Sequence, residues 1–403
     1  MRISQKSPAG LMWMVLVGVG LGCTGGERLS AQEQGQALAA WSPAMPIPDG
    51  TVASNGPFVP AALAGSAKQA VVVAWWQPAP DVAPNAIRLL ARRYSLRGDW
   101  EAPVVLSEPP NVGGQEASVA SNSSGTTMVV WTELNPSTLA QAVKARLFRP
   151  RSGWDDPVTL SERGTGAKVF IDTSGIATAT WVGGPSARTL VSRRFVPDSG
   201  WDAEVAVGQG VVPRESVLAG DGQGNATAAW QDFNGLMVSR AAPDGSWSEP
   251  LRLAGSGSFP LLKANTAGQA VLVATGPDGL LSWRFEPATG WGEPVLVPGV
   301  IVASDLALSN KGAATVVSTG FDGSAGGAST ATTIFASFSS AEGTWTPVTQ
   351  VSGDEPGIAP RVVVDSFGTS VVVWVQGGAC GAPPPSAVVA RHLTLLAGSP
   401  SSC

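Results

Sequence analysis

The chain of 403 residues has a net charge of −5, one His, one Tyr and fifteen Trp, and it is 44% hydrophobic against 14% charged. That apolar content suffices for a core and excludes a largely disordered chain. The acidic balance disfavours a nucleic-acid partner, and a single His leaves little for acid–base chemistry near neutral pH or for a His-based metal site.

The N-terminus reads as an export signal. Arg2 and Lys6 precede an apolar run over residues 11–22, too short to cross a bilayer as a mature helix. The run ends in Val19-Gly20-Leu21-Gly22-Cys23, which resembles the lipobox of bacterial lipoproteins, where the Cys is lipidated as the new N-terminus. The resemblance implies a signal peptide over residues 1–22 and a lipid on Cys23. It further implies an exported protein at the cell envelope, as an outer-membrane lipoprotein whose only membrane contact is the anchor. An ordinary secretory leader is the alternative. Residues 23–40 read as a flexible tether.

Three phrases then recur. A G-x-W-x-x-P-like phrase stands at Trp100, Trp154, Trp201, Trp247, Trp291 and Trp345, at intervals of 44 to 54 residues, with a solitary copy at Trp41. Such a period suits one four-stranded blade. A second phrase places Asp, Asn or Ser three residues before Gly and nine before Trp, as in NSSGTTMVVW ending at Trp131 and DTSGIATATW ending at Trp181. Polar residue and Gly suit a type I turn closed by a left-handed Gly, so short strands A and B are predicted on either side. The third phrase, as in VKARLFRP and LVSRRFVP, predicts strand C. It carries an Arg at or beside one position (Arg92, Arg146, Arg193, Arg240, Arg284, Arg391), which points to ion pairs between blades or at the surface.

The order A–B–C–D occurs six times in full, and a seventh unit stops after strand C near Leu396. Its missing strand is the orphan at Trp41. The expected fold is therefore all-β: a seven-bladed β-propeller of four-stranded antiparallel blades over residues 41–396, its ring closed by an N-terminal strand. Residues 397–403 form a C-terminal tail. Twelve of the fifteen Trp fall on the two repeat positions, which argues for packing between blades.

The pattern resembles that of bacterial propellers in the sialidase-like and BNR-like group, over nearly all of residues 41–396. The Asp-box of that group has Trp three residues after Gly, whereas here it follows by six, so the likeness is to a blade architecture and carries no activity. A sialidase-type glycoside hydrolase, or a lyase acting on an extracellular glycan, is the alternative function. Such hydrolases use an Arg cluster, a Tyr nucleophile paired with Glu, and an Asp acid/base. The single Tyr94 occupies the strand C position held by Phe148, Phe195 and Phe285 elsewhere, and arginines at equivalent places around a ring cannot converge on one ligand. No catalytic set, metal site or cofactor is expected. Asp221-Gly222-Gln223-Gly224-Asn225 has the alternating oxygens of a calcium loop but matches the hairpin turn of every other blade.

With Cys23 lipidated, Cys380 and Cys403 remain as a pair in an oxidising compartment, and a disulfide between them is expected. The B–C connections suggest where a partner binds. From the strand B Trp position to the strand C Arg position the steps are 17, 15, 12, 10, 10, 19 and 17 residues, so blades six, seven, one and two carry the long ones. Those blades are consecutive once the ring closes. Asp81, Asn85, Glu133, Asn135, Phe321 and Asp322 are the expected contact residues of this arc. The expected function is a monomeric, non-enzymatic envelope module that recognises a protein or polysaccharide.

Overall fold

The computed structural model describes residues 60–66, 69–82, 86–94, 101–107, 114–134, 139–184, 188–212, 215–321, 332–352, 357–364, 369–376 and 387–393. The chain divides into two compact units, Met1–Met45 and Pro46–Cys403, and every described strand belongs to the second. Among the described residues there is no helix, and the strands form seven antiparallel sheets. Six sheets run A–B–C–D in sequence order, and the last, Gly357–Val364, Ser370–Gln376 and Ala387–Leu393, has three strands. The first strands of successive sheets lie against one another from sheet one through sheet seven. This is the packing of β-propeller blades.

The A–B hairpins form for the reason the sequence suggests. Asn122, Asp172, Asp221 and Asn265 each accept backbone N–H bonds through Oδ1 from residues two and four further on. The Gly three residues on is left-handed each time, with φ of 85° at Gly125 and 83° at Gly268. Asp221 spends its other oxygen on Asn225 Nδ2, at 2.6 Å, so the calcium-like phrase is a turn whose carboxylate is already occupied. These turns also join the sheets: Asn122 donates to the carbonyl of Asp172, and Asn265 to that of Ser309.

Strand B is the central strand and is buried on both faces, every residue of Ala177–Gly183 included. Its Trp side chains, Trp131, Trp181, Trp230 and Trp374, are among the largest fully buried groups. The core is therefore divided into seams. One apolar cluster fills the seam between sheets one and two, around Trp131, and others follow in order to the seam between sheets six and seven, around Trp374. At roughly 25 cal/mol per Å² of apolar area removed from water, such seams are the main stabilising term of the fold.

The G-x-W phrase makes the turn into strand D. Gly153, Gly200 and Gly290 have φ near +80°, and the Trp that follows lies opposite a strand C Phe. The Phe148–Trp154, Phe195–Trp201 and Phe285–Trp291 rings sit edge-on or tilted at 5.3–5.5 Å. Tyr94 pairs with Val71 in the register that Phe148, Phe195 and Phe285 hold in their sheets. After the Trp, strand D breaks and resumes, as Gly153–Trp154 and Val158–Ser161 in sheet two. Pro157 sits in that break, lacks an N–H and so blunts the outer edge against further pairing.

The strand C arginines, expected at or beside one position, fall in two adjacent registers. Arg92, Arg146, Arg193 and Arg391 occupy one register, and Arg93, Arg194, Arg240 and Arg284 the next. Successive strand residues face opposite ways. The first set therefore turns to the preceding sheet, where Arg146 donates to the Val105 carbonyl and Arg193 to that of Leu160. The second set turns to the following sheet: Arg93 and Arg240 lie 3.8 Å from the Phe148 and Phe285 ring centroids, and Arg194 donates to the Pro243 carbonyl. The expected ion pairs appear only in part: Arg93 pairs with Glu101 of its own sheet at 2.9 Å, while the contacts between sheets are to carbonyls and aromatic faces.

Candidate functional site

The B–C hairpin tips and the D–A connections share one end of the sheets. The connection from sheet three to sheet four shows this: Val211 donates to the Arg188 carbonyl and Val212 to the Gln231 carbonyl, both beside B–C tips. The B–C segments vary strongly. Sheets four and five turn in two residues, between Asp232 and Gly235 and between Gly276 and Gly279. Sheet one needs residues 79–86, sheet two 135–140, sheet six 322–331 and sheet seven 377–386.

Asp81 is exposed in the sheet-one connection, hydrogen-bonded to Arg88. That bond, the largest influence, holds its carboxyl below the ordinary value. Glu133 lies inside strand Thr127–Leu134, with its side chain 6% exposed. Its Oε1 accepts from Trp131 Nε1 at 2.7 Å, and its Oε2 is 2.9 Å from Lys144 Nζ. Its carboxylate is buried and engaged in this ion pair. Phe321 ends the strand Ala314–Phe321. Asn85, Asn135, Asp322, Cys23, Cys380, Cys403 and the segment around Trp41 lie outside the described residues.

Other side chains at this end were not singled out by sequence reasoning. Phe233, at the two-residue tip of sheet four, is 70% exposed, and the Arg188 guanidinium lies 4.7 Å from its ring centroid. Phe259, the second residue of strand A of sheet five, is 59% exposed and has φ of 54°. Ile301 and Val302 are exposed in the connection from sheet five to sheet six. The available signal was an apolar residue at a hairpin tip or strand start, where polar residues are usual.

The opposite end carries the A–B and C–D turns. There Asp244 and Glu342 are held below the ordinary carboxylate range, first by hydrogen bonds from Ser246 and Ser340. Burial lowers the guanidinium of Arg240, with Asp221 opposing, and likewise that of Arg284, with Glu286 and Glu342 opposing. Among the described residues no three His, Cys, Asp or Glu side chains cluster as metal ligands would.

No protein-family model and no curated protein matches the chain. Solved structures do resemble it. An ulvan lyase, described as representing a new family of polysaccharide lyase, aligns at 10% identity over 77% of this chain and 88% of its own, with a TM-score of 0.51. The β-propeller domain of the Trilobed protease from Pyrococcus furiosus aligns at 10% identity over 79% of this chain and 88% of its own, TM-score 0.47. A Hadza microbial sialidase aligns at 11% identity over 79% of this chain, TM-score 0.44, and the chain spans 63% of that protein's length. At such identities the likeness concerns the fold alone. The seven sheets of the second unit, packed first strand against first strand, have the arrangement of β-propeller blades.

Proposed function

We propose that the chain is an exported, envelope-anchored binding module. In this reading it is a seven-bladed ring whose last blade is completed by residues 41–48, and it acts through the B–C end on a protein or polysaccharide without cleaving it. The observation that carries the reading is the uneven height of that end. Two-residue tips over sheets four and five adjoin much longer connections in sheets six, seven, one and two. Long loops on a rigid sheet scaffold are a usual place for recognition. The three-stranded seventh sheet and the G-x-W-like phrase at Trp41 support closure by the N-terminal segment.

The non-enzymatic reading has its own support. Arg146, Arg193, Arg194 and Arg284 are bound to backbone carbonyls of neighbouring sheets, which keeps them from gathering on one substrate carboxylate. The lone Tyr94 has the register of a packing Phe. Replacing residues 79–86, 135–140, 322–331 and 377–386 by two-residue turns tests the proposal. The trimmed protein should keep the far-UV spectrum and melting temperature of the parent and lose the partner that the parent retains from envelope extract. Retention of that partner would refute the site, and release of reducing or unsaturated sugar ends from envelope glycan would refute the non-enzymatic role.

A further inference from the structure

The Asn side chains among the described residues are tied, with one exception. Asn122 and Asn265 donate across seams to the carbonyls of Asp172 and Ser309. Asn225 donates to Asp221 Oδ2, and Asn310 accepts from the Thr266 hydroxyl. The exception is Asn234, exposed at the two-residue tip of sheet four, where only its backbone N–H is bonded. It also opens the only Asn–Gly pair among the described residues.

The tip needs the Gly and has no need of the Asn. Gly235 has φ of 143°, and a Cβ there would overlap the Ala254 carbonyl oxygen. Neither Phe233 nor Asn234 has positive φ, so this is not the left-handed turn for which Asn–Gly is the usual choice. Sheet five makes the same tip with Pro277 and Asp278 before Gly279, whose φ is 132°. One further contact is particular to sheet four. Asp232 Oδ1 accepts the N–H of Asn234 at 2.6 Å and that of Gly235 at 2.8 Å. A carboxylate thus lies on the proton of the amide that follows Asn234, within the reach that proton transfer requires.

We propose that Asn234 is a self-modification site, where the chain exchanges a side-chain amide for a carboxylate without an enzyme. Gly235 has no Cβ to shield its backbone nitrogen, and that nitrogen closes on Asn234 Cγ to form a five-membered imide. The Gly235 amide proton passes to Asp232 and on to the leaving group, the Cγ–Nδ2 bond breaks, and ammonia departs. Water then opens the imide at either carbonyl. Breaking the new N–Cγ bond gives Asp, whereas breaking the original peptide bond leaves the backbone running through the side chain, as isoaspartate. No oxidant or reductant takes part. The Asp product matches Asp278 of the neighbouring tip and fits the turn. The isoaspartate adds a backbone carbon to a tip whose Gly235 is fixed against Ala254, so Phe233 must move. Either product brings a new carboxylate to the B–C end, next to the Phe233 ring and the Arg188 guanidinium beside it. The surface of that end therefore changes with the age of the molecule, whatever it binds.

The test keeps the full mature chain in neutral buffer for weeks, folded and in denaturant, and locates each change by peptide mapping with fragment mass spectra. Conversion shows as the mass difference between amide and carboxyl at Asn234, and isoaspartate as a second peptide of equal mass and different retention. Asn234 should convert in the folded protein at least as fast as in denaturant, because only the fold holds Asp232 on the Gly235 N–H. Asp232→Asn keeps an oxygen acceptor for both amides and removes the base. It should melt as the parent does and convert Asn234 at least about tenfold more slowly, a modest share of what a positioned base supplies. Asn234→Gln, with one more methylene, should keep its amide. A folded protein that retains the Asn234 amide, or converts it more slowly than the denatured chain, overturns the proposal. A mass change that persists in Asn234→Gln overturns the site, and equal rates in the parent and Asp232→Asn overturn the role of Asp232.

Discussion

Lys144→Met should be the most informative single change in sheet two, because it strands a carboxylate. Glu133 is 6% exposed in its side chain, Lys144 30%, and their charged atoms are 2.9 Å apart. At an effective dielectric of about 20 the Coulomb attraction is roughly 6 kcal/mol, most of it offset by the cost of desolvating both ions. Removing one member of a fully buried pair costs about 3–5 kcal/mol. Water at the half-exposed Lys144 reduces this to about 2–3 kcal/mol. With unfolding entropy of about 2.1 cal/mol/K per residue over roughly 330 residues, the melting temperature should fall by about 3–4 °C. Glu133→Gln keeps an acceptor for Trp131 Nε1 and should cost about 1 kcal/mol. The double variant should be more stable than Lys144→Met alone, since no charge is left buried. Differential scanning calorimetry of the four proteins gives the coupling. A Lys144→Met protein as stable as the parent, or a double variant less stable than either single one, would refute the assignment of Glu133 to a buried pair.

Ring closure predicts that a protein lacking residues 37–48 melts lower and aggregates more readily than one truncated only through residue 36; identical melting curves would exclude it. Lipidation predicts that Cys23→Ala moves the protein from the membrane fraction to the soluble one and abolishes palmitate labelling; a parent that is already soluble would exclude it. Asp81, Asp244 and Glu342 are held below their ordinary values, so their stabilisation is complete at neutral pH and lost as pH falls through the carboxylate range, below about 4. The melting temperature should fall less steeply between about pH 5 and pH 3 in a protein carrying Asp81→Asn, Asp244→Asn and Glu342→Gln than in the parent.

The repeat positions made much of the architecture legible. The polar residue and Gly of the A–B hairpins have few backbone solutions, and the Trp nine residues after the polar one marks a strand that is buried on both faces. Strand C was harder, because an Arg at or beside one position was read as one kind of contact, and in a strand a one-residue offset reverses the direction of the side chain. Glu133 was counted with a loop because the step from Trp131 to Arg146 includes strand residues on both sides of the turn. Phe233 and Phe259 were missed for a different reason. They break the repeat, and a search built on recurrence passes over residues that occur once.

The two Arg registers make the seams directional. Sheet three carries both Arg193 and Arg194 and so grips the sheets before and after it, while sheet two has Leu147 in the second register. Sheet six has Ser337 and Phe338 in the two places, and there a hydroxyl returns to its own sheet, at the Thr346 carbonyl ahead of strand D. Blades are therefore not interchangeable tiles. Sheet three in the place of sheet two would bring a second guanidinium to a seam that Leu147 now fills. Exchange of one blade for another would thus disturb the contacts of both neighbours, a mating code written along the chain.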